Sequence, residues 1–365
     1  MSDHIPFEIQ SEIMKKLPVK SLLRFRSISK SCKSLIESSD FITHYSSQQQ
    51  HLLVSYKDLV NNEQQHLSIV DDDSFPTQRV SVTLPPLVDD IHVNVIKIGS
   101  SHGLLCFFAK AQAVIWNPSI RKAVTVVMPP GITYATVQGF GFCRGTTDPK
   151  IVKIDNRNWW RDPASPVSTN PWKVEVFTLS TKSWRSPYSS ILPRSSSIYI
   201  HGNQVDIDGC LYWLGNDSVT GAGTCCHSIV SFDMTSEEFG EVNLPESVTP
   251  CVWLTLYKLK ESVAVIEEGL KGDQVVYHVW MMEDGVLKSF KKLLTISNHL
   301  LDVFIVDVRG FRKTGEPLVE LEPYLGAVRG LAAYEPYSKS IRNVGIIGRK
   351  SSYYVCSYVE TLLLL

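Results

Sequence analysis

The side chains that could carry chemistry are few and lie far apart in this sequence. Cys225, Cys226 and His227 are three potential metal ligands in a row. Adjacent cysteines rarely bind one ion, however, and no second cluster completes a tetrahedral site, so a loop that precedes a strand is the simpler interpretation. The sequence contains no Gly-rich phosphate loop, His-Glu-x-x-His helix or Cys-x-x-Cys pair. We therefore predict no metal, no cofactor and no catalytic residue.

A run of aromatic and basic residues is the best candidate for a recognition surface. Trp159, Trp160 and Arg161 occur in a Pro- and Ser-rich stretch that ends at Trp172. Tryptophan and arginine often anchor protein interfaces, and binding residues concentrate on loops. The alternative is that the tryptophans fold back onto the body of the protein. His299, which lies between two repeats of the chain, is a second candidate for contact with a target.

The elements that would position these residues begin with three short amphipathic helices. Pro6 suits a first helical turn, and an isoleucine or leucine then recurs every four residues through Leu17. Pro18 begins a second helix, and Ser29 is placed to cap a third. Fewer than about 45 residues seldom bury enough apolar surface to be stable alone. This apolar surface therefore predicts a partner, either the rest of the chain or another protein.

Positive charge surrounds this apolar surface. Between Lys15 and Lys33 there are seven Lys or Arg residues and no acidic residue. A basic rim around an apolar centre favours an acidic partner and steers its approach. The alternative that the pattern leaves open is a helical subdomain packed on the chain's own body, with a solvated basic face.

Composition sets the class of protein. The chain has 365 residues, 44% of them hydrophobic, and a net charge of −1 from 36 basic and 37 acidic residues. We expect a globular protein without general affinity for nucleic acid or membrane. The first residues contain no apolar core of signal-peptide length, and the stretch 353–365 is too short to span a bilayer. A cytoplasmic or nuclear location, with the eight cysteines reduced, is the resulting expectation.

From about residue 52 the helical period gives way to a recurring unit of short strands. Each unit contains a strand that ends in an aromatic residue. The five equivalent aromatic residues are Trp116, Phe177, Phe232, Trp280 and Tyr334. Their spacing of roughly 50 to 60 residues is typical of a propeller blade with three or four strands. Flanking strands at 52–56, 67–70 and 353–358 could form a sixth unit. We predict that the aromatic residues pack between the blades.

The beginning of the chain closely resembles the F-box, particularly its plant form. The resemblance rests on Pro6, on the run from Leu17 to Arg26 and on the Ser29-Lys30-Ser31 turn. It implies that helices in residues 1–45 dock onto a Skp-type adaptor, which joins a cullin and a RING subunit of a ubiquitin ligase. The contact residues that it implies are Ile5, Pro6, Ile9, Ile13, Leu17, Pro18, Val19, Leu22, Leu23, Ile28 and Cys32.

Cys32 is a departure from the F-box pattern, which usually has tryptophan at this position. An aromatic anchor supplies a large buried contact of the kind that often forms a binding hot spot. Its loss predicts a weaker affinity for the adaptor. Ile5 in place of the usual leucine is a milder change, because the two side chains have similar volumes.

The rest of the chain resembles the plant F-box-associated domain, a kelch-like propeller. The motifs that carry this resemblance are Trp116-Asn117-Pro118, Gly139 to Phe142, Val174 to Trp184, Ile229 to Pro245, Val279 to Met282 and Tyr358 to Leu362. The fold class that follows is a small all-α F-box and then an all-β kelch-like propeller of about six blades in residues 46–365. The resemblance implies a non-catalytic receptor that presents an unknown protein target for ubiquitination.

Two other classes of function stay open. One is a propeller that binds a protein or glycan outside a ligase, with Cys32 marking a weakened F-box. The other is a propeller enzyme, which would need acidic or histidine side chains converging on one rim. Adaptor binding separates the first alternative from a receptor, and the geometry of the rims bears on the second.

Overall fold

The protein is described from a computed structural model that carries side chains. The residues that it describes are 5–45, 49–89, 97–109, 111–132, 136–146, 148–155, 172–188, 198–217, 226–248, 253–272, 274–283, 288–297, 299–300, 303–323 and 330–365.

Four short helices lie at the beginning of the chain, one more than predicted. They are α1 (Phe7–Lys15), α2 (Val19–Arg26), α3 (Lys30–Ile36) and α4 (Ser39–His44). A further helical turn, α5 (Pro86–Asp89), lies between two strands. Ser29 caps α3 as predicted, because its Oγ accepts the Cys32 N–H at 3.1 Å. Ser38 Oγ accepts the Phe41 N–H at 3.2 Å and begins the unpredicted fourth helix. No helix in the described part of the chain has the length and apolar character to cross a membrane.

Antiparallel strands make up most of the chain after residue 49. In chain order they are β1 (Gln50–Lys57), β2 (Gln64–Val70), β3 (Arg79–Ser81), β4 (Lys97–Ser101), β5 (Leu104–Phe108), β6 (Gln112–Asn117), β7 (Lys122–Val127), β8 (Thr136–Phe142), β9 (Pro149–Asp155), β10 (Lys173–Thr178), β11 (Ser183–Arg185), β12 (Ile198–Ile207), β13 (Cys210–Asp217), β14 (Cys226–Asp233), β15 (Phe239–Asn243), β16 (Leu254–Leu259), β17 (Ser262–Lys271), β18 (Gln274–Glu283), β19 (Ser289–Ser297), β20 (His299–Leu300), β21 (Val303–Phe311), β22 (Pro317–Pro323), β23 (Gly330–Glu335), β24 (Ser340–Ile347) and β25 (Tyr354–Val359).

These strands form six sheets, which confirms the predicted number of blades. The strand orders are β25-β1-β2-β3, β4-β5-β6-β7, β8-β9-β10-β11, β12-β13-β14-β15, β16-β17-β18-β19 and β20-β21-β22-β23-β24. In five sheets the spatial order is the chain order, as in the up-and-down sheets of a propeller. In the remaining sheet β25 lies beside β1, so the predicted flanking strands do form a sixth sheet.

The repeat predicted from the aromatic residues is the repeat of the sheets. Trp116, Phe177, Phe232, Trp280 and Tyr334 each lie on the third of four consecutive strands, and each is buried. Large aromatic side chains at equivalent positions fill the space between packed sheets. Packing is therefore the role of these five residues.

The chain divides into two compact units, and each of them combines segments that are distant in the sequence. The first unit comprises Met1–Val54, His66–Met128 and Cys356–Leu365, and the second comprises Ser55–Gln65 and Pro129–Val355. The four helices α1 to α4 thus belong to the same unit as the sheet β4-β5-β6-β7. Leu53, Leu105, Trp116 and Tyr358 are buried together in a core of this first unit.

A close approach between two sheets of the second unit depends on Gly139. A Cβ atom at this position would lie 2.5 Å from the Trp213 ring and 2.7 Å from Leu211. Trp213 is fully buried in a cluster that includes Val152 and Phe232. The glycine in the predicted Gly139–Phe142 strand is thus required for packing, because no side chain fits beneath the indole.

A buried carboxylate joins two neighbouring sheets of the second unit. Glu237 is fully buried, and its Oε1 accepts hydrogen bonds from Lys150 Nζ at 2.9 Å and from Arg185 Nη2 at 2.5 Å. The Tyr188 N–H donates to the other carboxylate oxygen at 3.0 Å. Burial alone would raise the pKa of Glu237, but these donors outweigh it and lower that pKa. Glu237 is therefore held as a paired, charged group.

Two histidines share one amide oxygen in the sheet β12-β13-β14-β15. A ring N–H of His201 donates to Asn216 Oδ1 at 3.1 Å, and one of His227 donates to the same oxygen at 2.6 Å. The His201 ring stacks on Tyr199. Burial lowers the pKa of both histidines, and for His227 the proximity of His201 lowers it further. The folded protein therefore favours the neutral form of this pair.

Removing the Glu237 carboxylate tests the buried ion pair. We expect Glu237→Ala to lower the free energy of unfolding by about 3–5 kcal/mol, because it leaves the Lys150 ammonium buried without its carboxylate. Urea unfolding of the full chain measures the change. The matched control is Glu238→Ala at the neighbouring exposed position, where we expect a change within about 0.5 kcal/mol. Equal losses for the two variants would contradict the pairing.

The histidine pair predicts a stability that depends on pH. The pKa of each histidine in the folded protein lies below the unfolded value of 6.5. The stability that the neutral pair contributes is therefore complete above pH 6.5. The contribution is lost as pH falls from 6.5 towards the lowered folded pKa, because only the unfolded state takes up protons there. We expect the variant with both His201→Gln and His227→Gln to lose less stability than wild type between about pH 7 and pH 5. Thermal unfolding at each pH tests this, and exposed His44→Gln is the control.

Candidate functional site

The four helices α1 to α4 surround a small apolar core. Val19, Leu22 and Ile36 are fully buried there, together with Phe41. Helix α2 packs on α3, and α4 contacts both α1 and α3. The Tyr45 hydroxyl donates to the Leu17 carbonyl at 2.8 Å, which fixes the chain after α4 against the end of α1. One side of the helical region is therefore closed and well packed.

The other side of the helices leaves large apolar side chains in contact with solvent. Ile9 and Ile13 on α1 and Ile5 just before it are half exposed, Phe25 is 37% exposed and Ile28 is 70% exposed. These five residues are called the docking face below. The four-residue spacing of Ile9 and Ile13 puts them on one side of α1. Exposed apolar side chains gathered in one short region are typical of a protein interaction site.

Positive charge accompanies the docking face, as predicted. Two of its cations are paired, Lys15 with Glu12 at 2.9 Å and Arg26 with Glu37. Five others are exposed and make no ion pair within the described residues: Lys16, Lys20, Arg24, Lys30 and Lys33. Free cations beside an apolar surface favour a partner with acidic residues at its edge.

The structure places the eleven predicted contact residues in three environments. Exposed positions are Ile5, Pro6, Ile9, Ile13, Pro18 and Ile28, and partly buried positions are Leu17, Leu23 and Cys32. Val19 and Leu22 are fully buried in the helical core, where they contact other helices. These two side chains have no accessible surface and so do not contribute to an exposed face in this conformation, and their contact with an adaptor stays a prediction. Amphipathic periodicity alone does not distinguish the two sides of such short helices.

Cys32 lies on α3 and is partly buried against the helical core. Its N–H is held by Ser29, so the backbone position is well defined. The weaker adaptor affinity expected for cysteine stays a prediction.

Only some of the residues predicted to recognise a target lie in the described part of the chain. Trp159, Trp160 and Arg161 lie outside the described residues. Trp172 is buried in a core cluster of the second unit, where its ring packs edge-on against Phe239 with centroids 5.6 Å apart. It thus occupies a core position and not a contact surface. For His299 only the backbone is described, in a two-residue pairing with β21.

Two exposed aromatic residues were not predicted as contacts. Trp253, which precedes β16, is 82% exposed, and Tyr337, between β23 and β24, is 98% exposed. Neither belongs to the five repeated aromatic residues or to the Pro- and Ser-rich stretch that ends at Trp172. A tryptophan three residues after a proline and directly before a strand, as in the run from Pro250 to Leu254, is the available signal for a loop anchor.

Catalytic geometry was also sought in the described parts of the chain. There, no three His, Cys, Asp or Glu side chains come together as a metal site. Cys225 lies outside the described residues, and His227 pairs with Asn216. Residues 99–103 have the G-x-S-x-G spacing of a hydrolase nucleophile, with Ser101 Oγ 3.0 Å from His102 Nδ1. They form the hairpin between β4 and β5, however, whereas that motif requires a strand-to-helix turn.

Comparison with known proteins agrees with this architecture. Residues 2–44 match the F-box domain family model, and residues 51–361 match the F-box associated beta propeller domain. F-box/kelch-repeat protein At3g04660 of Arabidopsis thaliana is 26% identical over 96% of this chain and 90% of its own length. F-box/kelch-repeat protein At3g23880 of the same plant is 26% identical over 80% of this chain and 79% of its own. A helical region with an exposed docking face, followed by six sheets, thus places the chain in the family of F-box proteins that carry an F-box associated β-propeller domain.

Proposed function

We propose that this protein is the substrate-recognition subunit of a Skp-cullin-F-box type ubiquitin ligase. In this proposal the docking face binds a Skp-type adaptor and the propeller presents a target protein. The observation that carries the proposal is the exposed apolar face of the F-box helices. The same chain contains a propeller domain, whose loops could contact a target. The protein itself would supply no catalytic group. Its contribution would be proximity, which can raise an effective concentration by many orders of magnitude.

The docking face offers apolar surface for association. Fully covering a fully exposed Ile or Phe side chain stabilises association by about 1.5–3 kcal/mol. The five side chains are 37–70% exposed, so covering them would supply roughly half of that amount each, a total comparable with the lower part of the roughly 4–15 kcal/mol that association costs. The five exposed cations add long-range attraction to an acidic surface and favour the correct partner. An apolar centre with a basic rim therefore fits an adaptor whose groove is apolar and whose edge is acidic.

The topology of the sheets suggests which edge of the second unit meets a target. Residues 156–171 connect the second strand of a sheet, β9, to the third, β10. Trp253 lies in the connection from the last strand of one sheet to the first of the next. In an up-and-down sheet, the connection from the second to the third strand and the connection from the last strand to the next sheet lie at the same ends of the strands. We propose that these strand ends, with Trp253 as an anchor, carry the recognition surface.

Charge substitutions on the docking face test adaptor binding. We expect Ile9→Asp or Ile28→Asp to weaken binding by roughly 30-fold or more each, because a carboxylate would have to be buried against an apolar groove. Co-purification with a Skp-type adaptor, followed by calorimetry, measures the loss. Val60→Asp, at a 94% exposed position outside the helices, is the control. Undiminished binding by both helix variants, or no binding by wild type, would contradict the proposal and favour a propeller that works outside a ligase.

Capture of targets tests the recognition half of the proposal. The full chain with Ile9→Asp and Ile28→Asp should bind its target without delivering it to a ligase, so the target accumulates. We expect affinity purification from plant tissue to enrich the same proteins that wild type loses by degradation. Adding Trp253→Ala should remove those proteins, and Tyr337→Ala, at the opposite edge of its sheet, is the matched control. If Trp253→Ala retained every captured protein, Trp253 would not be the anchor.

A further inference from the structure

The residues that follow β25 return to the helical region. Residues 360–365, called the strap below, contact α2, the helical core and the β6–β7 turn within the first unit. We infer that the strap is a positioning element that holds the docking helices in one orientation on the sheets of their own unit. This inference rests on the proposed function, because the orientation of the helices sets the orientation of a bound adaptor. Three different contacts carry it.

The first contact completes helix α2. Its N-cap residue is Pro18, which has no side-chain acceptor, and its first turn contains no acidic residue. Glu360 supplies both, because its Oε2 accepts the Val19 N–H at 3.0 Å from 341 residues along the chain. A carboxylate at this end also interacts favourably with the helix dipole. The beginning of α2 is therefore capped by the strap and not by its own sequence.

The second contact fills the helical core. Leu362 is fully buried among Val19, Leu22 and Ile36. Ile120, from the turn between β6 and β7, packs against the same cluster. The core of the four helices thus contains a side chain from the strap and touches one from a sheet. Removal of Leu362 would open a cavity at the place where these elements meet.

The third contact fixes the backbone of the strap. Asn117, at the end of β6, is fully buried. Its Nδ2 donates to the Thr361 carbonyl at 2.9 Å and to the Leu363 carbonyl at 2.7 Å, while its Oδ1 accepts the Ser119 N–H at 2.8 Å. Both amide donors are directed at the strap, so Asn117 holds the backbone on either side of Leu362. This asparagine belongs to the Trp116-Asn117-Pro118 motif, and its side chain gives that motif a physical role.

The path into the strap also requires a particular glycine. Gly103 has φ of +80°, and a Cβ there would lie 2.3 Å from the Val359 carbonyl oxygen. Only glycine combines this conformation with so close an approach. The β4–β5 hairpin is therefore shaped to let the chain pass from β25 to the helices.

Together these contacts give the helical region a second attachment. The covalent connection from α4 to β1 runs from His44 to Gln50. The attachment at α2 and in the helical core opposes rotation of the helices relative to the sheets of the first unit, because the helices cannot turn without breaking the Glu360 cap and exposing Leu362. None of the five residues of the docking face belongs to the cluster that contains Leu362, and all five keep accessible surface, so the strap leaves the docking face open to an adaptor.

Hydrogen exchange of the full chain tests the strap without an adaptor or a target. We expect Glu360→Ala to speed amide exchange in residues 17–26 about fivefold, as for the loss of a typical helix cap, and Glu360→Gln, which keeps an acceptor, to restore slow exchange. Leu362→Ala should speed exchange across α2 and α3, whereas Leu363→Ala, next to it and outside the core cluster, should not. Unchanged exchange in Glu360→Ala and Leu362→Ala, or no rescue by Glu360→Gln, would overturn the inference.

A second measurement separates positioning from folding and from the proposed function. In a reconstituted ligase, we expect Glu360→Ala to bind the adaptor within about threefold of wild type, since no residue of the docking face is altered. The lysines that become self-ubiquitinated should nevertheless change, because the helices no longer hold one orientation; mass spectrometry identifies them. An unaltered pattern despite faster exchange would overturn the positioning role. If wild type failed to bind the adaptor, the proposed function would fail, while the exchange result would still decide the strap.

Discussion

A helical region of about forty residues cannot enclose its own apolar side chains, and this constraint organises the first unit. Each of the four helices has only two or three turns, so burial on one side leaves apolar residues on the other. One side is closed by Leu362 and Ile120, which come from elsewhere in the chain. The other side remains open and carries Ile9 and Ile28. Stability and availability for a partner are thus divided between two faces of the same helices.

The sheets bury their apolar side chains by repeating the same arrangement of strands. Five of the six sheets place a buried aromatic residue on the third of four consecutive strands. Glu237 is a polar group that enters this interior with partners, Lys150 and Arg185. Such a pair does not improve on an apolar core in free energy, but removing one partner is costly. The Glu237 pair therefore joins the sheet β12-β13-β14-β15 to the sheet β8-β9-β10-β11 at one defined place.

The features that could be predicted from the sequence are those that depend on a local pattern of residues. Proline starts, the Ser29 cap and the spacing of aromatic residues are local features, and the helices, the number of sheets and the equivalence of Trp116 with Tyr334 all followed from them. Burial in short helices depends on contacts from distant residues, so Val19 and Leu22 could not be separated from Ile9 and Ile28. Helix α4 was missed because Ser38 lies in a polar stretch with little periodicity. Trp172 looked like a loop anchor and is a core residue, since its partner Phe239 is far away in sequence.

The Glu360 cap gives the chain a property that its family boundaries conceal. Residues 2–44 are a recognisable domain by sequence, yet the hydrogen-bond acceptor that begins α2 and one side chain of the helical core come from beyond residue 359. If the helices were exchanged by cutting the chain between them and the propeller, α2 would lose both the Glu360 acceptor and the Leu362 side chain. A chimera would preserve the cap and this part of the core only if residues 360–365, or residues with an equivalent acceptor and core side chain, accompanied the helices. The part of the sequence that specifies the packing of the docking helices is therefore discontinuous.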